Sequence, residues 1–167
     1  MNLFLREPLA AERVAIIGLG GTGSYVLDFV AQTPAQEIRL FDGDEFLQHR
    51  DQMAFVDVVC WHDREGHVMA GWRDVPAKEF WVAGHFPGNP LLPGVILVEA
   101  CAQLSLIGYK LDYPEVARKL VVFGGIDKVR FRGATRPGDR VFLVARLSDM
   151  SRRGARAQNQ AFVNGKM

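Results

Sequence analysis

The stretch from Gly94 to Tyr109 reads GVILVEACAQLSLIGY, follows directly on Pro93 and contains a single charged residue, Glu99. Proline fits the first turn of a helix and Gly108 sits near the other end, so the spacing predicts one helix here. Apolar residues occupy nearly every side of it. A helix of that kind belongs inside a protein, not on its surface. Around it the chain reads as short alternating strands, at residues 55–61, 67–75, 121–131, 140–149 and 155–163. Turn chemistry separates them at Pro137-Gly138-Asp139 and Asn164-Gly165. The pattern predicts an α+β fold in which a mostly antiparallel sheet wraps one central helix.

Bulk properties narrow the class. The chain has 167 residues and is 49% hydrophobic, enough for one packed domain or two very small ones. The net charge is only +1, but residues 118–167 carry twelve Lys and Arg against Asp127, Asp139 and Asp149, a local balance of +9. Such a surface should attract an acidic partner. Cys60 and Cys101 stand far apart, with neither CxxC pairing nor His neighbours at metal-ligand spacing, so no disulfide framework, zinc site or cofactor is expected. The N-terminal residues MNLFLREPLAAERV place acidic groups where an export signal needs basic ones. The 16 residues of Gly94–Tyr109 fall short of the roughly 20 that cross a bilayer. A cytoplasmic protein, off the membrane and without nucleic acid, is the expectation.

The first 45 residues differ in character. Residues 14–17 form an apolar strand, Gly18-Leu-Gly20-Gly21-Thr-Gly23 a glycine-rich turn, 24–31 a helical stretch and 37–41 a second strand that runs into Asp42-Gly43-Asp44. A glycine turn between strand and helix presents backbone N–H groups to phosphate, and an acid about 20 residues on suits a ribose hydroxyl. GLGGTGS followed by LFDGD resembles the ThiF-type adenylating proteins. The resemblance implies a Rossmann-like βαβ fragment and nucleotide contacts at Gly18, Gly20, Gly23, Asp42 and Asp44. A bare structural turn with no nucleotide stays open beside it. A βαβ piece of this length buries too little apolar surface to stand alone.

The chemistry centres on Glu99. An ionised carboxylate inside an apolar helix costs several kcal/mol unless paired, and desolvation favours its protonated form, which makes a buried acid a proton donor. A helix glutamate that merely faces solvent is the competing reading. His85 lies in the loop GHFPGNPLLPG, where Pro87, Pro90 and Pro93 fix three φ angles and stiffen the approach to the helix. A stiff loop suits a positioned base. Gly94 leaves a helix N-terminal N–H uncovered, a donor for a carbonyl oxygen gaining negative charge. Base, acid and oxyanion donor match removal of an α-proton from an acyl thioester as a β-hydroxyl leaves as water. Gln103, one turn beyond Glu99, shares its helix face and can orient the acid.

HFPGNPLLPGVILVEACAQ closely resembles the active-site segment of the bacterial 3-hydroxyacyl-(acyl carrier protein) dehydratases of the FabZ type. LQHRDQMAFVDVV is similar to the family's opening strand and GGIDKVRFRGATRPGDRV to its later strand-turn-strand, so the resemblance spans residues 46–167 and divides the chain into parts 1–45 and 46–167. It implies the hot-dog fold, with His85 and Glu99 as the catalytic pair meeting across a dimer interface; glutamate at 99 marks the FabZ type, the FabA type having aspartate there. It also implies a thioester site at Gly94 and Gln103 and an acyl tunnel lined by Phe86, Leu91, Ile96 and Leu97. Acidic acyl carrier protein would dock on Arg130, Arg132, Arg136 and Arg140. A homodimer or higher oligomer, a trimer of dimers among them, is expected. The family continues past the Asn164-Gly165 turn into a final strand, and without it neighbouring strands are expected to have unpaired edges. Three other readings remain: a nucleotide-binding module, a non-catalytic hot-dog subunit that binds acyl chains, and a hot-dog thioesterase, against which Glu99 beside the HFPG loop argues.

Overall fold

The computed structural model describes residues 13–17, 37–41, 49 and 51–163. Strands β1 (Arg13–Ile17) and β2 (Glu37–Phe41) pair in parallel, Arg13 opposite Glu37 and Ile17 opposite Phe41. Parallel neighbours require a crossover connection. That connection, with Gly18, Gly20, Gly23, Asp42 and Asp44, lies outside the described residues, as does the Asn164-Gly165 turn.

The main body is a four-stranded antiparallel sheet in sequential order, β3 (Val58–Asp63), β4 (Val68–Asp74), β5 (Arg140–Ser151) and β6 (Gly154–Val163). Each strand lies within a few residues of its sequence expectation. Alternation sets the faces: Val141, Leu143, Ala145 and Leu147 of β5 are buried while Arg140, Phe142 and Arg146 point outward. With a side-chain period of two, one face of the sheet becomes a continuous apolar floor. The β4–β5 connection turns at Gly138, where φ is +92° and glycine is favoured, and closes with the Gly138 N–H on the Val75 carbonyl.

The central helix α1 (Gly94–Asp112) crosses that floor. Pro93 precedes it and no side chain caps it, which leaves its first backbone N–H groups without intrahelical partners. Leu104 and Ile107 join Val59, Met69, Val141, Leu143 and Ala145 in the main core. By length and composition α1 could cross a bilayer, but half of that window is buried inside the protein. Close packing at the strand–helix contact explains Gly71: a methyl group there would run into the Val58 carbonyl oxygen and press on Leu104.

Two expectations need correction. The helix is enclosed on all sides only in its second half, where every residue from Gln103 to Lys110 is buried; in the first half Val95 is 74% exposed and Glu99 partly so. The four-stranded sheet is too narrow to wrap both ends. Residues 121–131, expected as a strand, belong to no strand of the described residues, and Leu120, Val122, Phe123, Ile126, Val129 and Phe131 are exposed. Strand composition alone does not make a strand; the backbone must also lie along a sheet edge, and neither sheet of the described residues includes this segment. Among the described residues β6 pairs with β5 alone.

Candidate active site

His85 is held from several directions. Its N–H donates to the Trp81 carbonyl at 2.8 Å, and its own carbonyl accepts from the Leu91 N–H at 2.8 Å. Its Nδ1 lies 2.8 Å from the Leu91 carbonyl oxygen. A carbonyl only accepts, so Nδ1 carries the proton and Nε2 is left with a lone pair. Leu91 thereby fixes both the ring and its tautomer. Among the described residues Nε2 has no partner, which leaves it available as a base. The loop itself is pinned by the Leu92 N–H on the Thr135 carbonyl and by an Arg136 guanidinium bond to the Asn89 side chain at 2.6 Å.

Glu99 stands one turn and a half into α1. Gln103 Nε2 donates to its Oε1 at 2.9 Å, the contact expected from their spacing. Gln103 is itself 1% exposed and saturated, since Nε2 also donates to the Met53 carbonyl and Oε1 accepts the Phe55 N–H, both at 2.8 Å. This revises the expectation for Gln103: its amide is fully used inside the chain, so it positions the acid and has nothing left for a thioester. A second group was not anticipated. His49 Nε2 lies 3.2 Å from the same Oε1. Nothing in LQHRDQMAFVDVV distinguishes that histidine from a linker residue.

Within one chain His85 and Glu99 share no hydrogen bond; each is tethered by one atom and has another free. Gly94 opens α1, and a Cβ there would meet the Phe131 ring at 2.7 Å. Phe86 packs on the His85 ring at 4.3 Å and is 52% exposed, Leu91 is half-buried, and Leu97 packs against the core. Ile96 is buried within the main core cluster.

The basic candidates also separate. Arg130 and Arg132 are exposed on the segment between α1 and β5. Arg136 is exposed but engaged with Asn89. Arg140 is exposed, and its guanidinium makes a bidentate pair with the equally exposed Asp74 at 2.6 and 2.8 Å and lies over the Trp72 ring. Cys60 and Cys101 are free thiols that burial pushes up to about 11, so neither is a ready nucleophile. Among the described residues no cluster of three His, Cys, Asp or Glu could hold a metal ion.

Comparison with known proteins agrees with this arrangement of loop, helix and sheet. Residues 47–167 match the FabA-like domain family. A protein from Herpetosiphon aurantiacus named 3-hydroxyacyl-[acyl-carrier-protein] dehydratase FabZ is 39% identical over 119 residues, covering 71% of this chain and 83% of the relative. Proteins of the same name from Chloroflexus aggregans (42% over 118 residues, 70% and 80% covered) and Moorella thermoacetica (36% over 121 residues, 72% and 83%) are similar in extent. The matched span takes in the sheet, the HFPG loop and the whole of α1, and the chain belongs to the FabA-like domain family.

Proposed function

We propose that the chain dehydrates (3R)-3-hydroxyacyl thioesters to trans-2-enoyl thioesters in fatty acid synthesis, as a cytoplasmic hydro-lyase. The observation that carries this reading is the pairing of a histidine with a fixed tautomer and a bare Nε2 with a helix carboxyl tethered through one oxygen only. His85 Nε2 takes the proton from C2, the electron pair becomes the C2=C3 double bond, and the C3–O bond breaks. Glu99 gives its proton to the departing hydroxide, which leaves as water. The unpaired N–H groups at the start of α1, beginning at Gly94, face the thioester oxygen as it gains charge.

Base and acid come from different copies of the chain. Val95 on the open side of α1 and the exposed apolar residues of segment 120–132 form the surface that a second copy covers. Covering it also encloses Glu99, which the sheet of one chain leaves open. Higher assembly, including a trimer of dimers, would build on that unit. The substrate arrives on acyl carrier protein, whose acidity matches Arg130 and Arg132, with Arg136 at the rim of the loop. Phe86 and Leu91 line the acyl path. Residues 46–167 are the catalytic part and 1–45 a separate ThiF-like segment; the parallel pairing of β1 and β2 favours that second assignment.

The test uses the purified chain with a 3-hydroxyacyl thioester on acyl carrier protein or on coenzyme A, following enoyl absorbance. Turnover that is lost in both His85→Ala and Glu99→Gln supports the reading. An inactive parent, or variants as active as the parent, overturns it. ATP binding lost on Gly20→Val or Asp42→Ala would assign nucleotide to the first segment.

A further inference from the structure

His49 has an unusual set of partners. Its Nε2 is 3.2 Å from Glu99 Oε1, within hydrogen-bond reach. Its Nδ1 is buried and has no partner among the described residues. Buried polar atoms are normally satisfied, and a histidine kept for architecture usually spends its ring nitrogens on backbone groups. His85 does so on Leu91, and His62 and His67 share Asp112. His49 leaves one nitrogen unsatisfied and spends the other on Glu99, the carboxyl assigned as the acid. No Lys or Arg among the described residues lies within ion-pair distance of that carboxyl.

Both neighbours of Glu99 approach the same oxygen. Gln103 Nε2 donates to Oε1 at 2.9 Å, and His49 Nε2 adds a second contact there. With Gln103 donating to Oε1 and the His49 ring beside it, that oxygen is a poor place for a proton, so the acidic hydrogen resides on Oε2, which has no partner among the described residues. Once that proton has gone to the leaving hydroxide, the Gln103 N–H and the imidazole beside Oε1 stabilise the carboxylate, since charge-assisted bonds are about twice as strong as neutral ones.

From this geometry we infer that His49 is a positioning residue for the dehydration, holding Glu99 by Oε1 so that its proton is delivered from Oε2. The inference rests on Glu99 acting as the acid. Gln103 supplies a fixed anchor from the same helix, whereas His49 reaches the carboxyl from the segment before β3 and closes the far side. Removing it leaves an acid that is less well aimed and gives up its proton less readily, because losing an imidazole beside the ionised form favours the protonated one.

The experiment measures kcat and KM across pH for the full-length parent, His49→Ala, His49→Gln, Glu99→Gln and the His49→Ala/Glu99→Gln double variant. A glutamine places an amide N–H near the position of the imidazole Nε2 but cannot take up a proton. In His49→Ala, kcat falls on the order of tenfold, the scale of one polar contact to a charged group. KM stays near the parent value, and the alkaline limb of kcat moves to higher pH. His49→Gln recovers most of kcat. The double variant is no slower than Glu99→Gln alone, because His49 works only through that carboxyl. Parent-like kcat and pH limb in His49→Ala overturn the inference, and so does equal loss in both His49 variants with the limb unmoved, which is the signature of a packing role. If His49→Ala melts early, the limb in His49→Gln and the double variant decide. An active Glu99→Gln removes the acid assignment itself, a different failure from a silent His49.

Discussion

The two halves of α1 share one composition and do opposite work. From Gln103 to Lys110 every residue is buried, with Leu104 and Ile107 in the main core and Tyr109 packed with Leu147. From Gly94 to Glu99 the helix emerges from the sheet, with Val95 exposed and the Glu99 carboxyl partly so. Apolar residues in the second half are core. In the first half Ile96 still joins the core, while Val95 stands on the surface. The helix is thus a rigid beam anchored at one end so that its other end holds an acid and a row of backbone donors still, which is what positioned catalysis requires.

Substitutions should divide along that boundary. The largest effect expected on chemistry is Glu99→Gln, with turnover reduced on the order of a thousandfold and a melting curve that overlays the parent. In the anchored half Leu104→Ala should do the reverse, costing about 2–5 kcal/mol in denaturant titration while the folded fraction keeps its turnover per molecule. If Leu104→Ala lost turnover as fully as Glu99→Gln, the two halves would not be separable.

A third substitution tests the far end of the beam. Asp112, the last residue of α1, has an enclosed side chain bonded by His62 Nε2 at 2.6 Å and His67 Nδ1 at 2.8 Å. Burial works against its ionisation, but the hydrogen bonds and positive charge of the two imidazoles outweigh it and hold the carboxyl below its usual range. A negative charge at a helix C-terminus is otherwise disfavoured, so the imidazoles also offset the dipole. The lowered folded value means that this stabilisation is complete above the unfolded titration near about pH 4 and is lost as pH falls through the folded one. Asp112→Asn should therefore cost about 1–3 kcal/mol at neutral pH and flatten the acid side of the stability profile. A parent-like acid profile would exclude the clamp. The smallest effect expected is Gly94→Ala. Its methyl would meet the mobile end of Phe131 and stand beside the helix N–H groups. It should lower turnover by roughly tenfold, the scale of one weakened oxyanion contact, and leave melting unchanged.

Local signals made α1 and strands β3 to β6 legible in the sequence. Proline at the helix entry, glycine and proline at the turns, and the strict alternation of Val141, Leu143, Ala145 and Leu147 are written in neighbouring residues. What escaped depends on residues far apart in the chain. Residues 121–131 have strand composition, yet they join neither sheet of the described residues, and where a segment runs relative to a sheet edge is set by the whole fold. Arg140 reads as a docking cation, and its pairing with Asp74 across the β4–β5 pair comes only from the fold. The Asp112 clamp joins residues 45 and 50 positions apart. The acid and the stiff loop of the site could be read from HFPGNP and the lone Glu99, because a charge in an apolar run stands out locally. His49 could not, since only the fold carries it to Glu99.

The central claim is that one chain supplies the base and another the acid. Mixing His85→Ala and Glu99→Gln chains, each inactive alone, and reassociating them tests it most directly. Random pairing makes half of the dimers mixed, each with one intact site and one doubly altered site, so about a quarter of parental activity should return. A mixture no more active than either variant alone would contradict the claim.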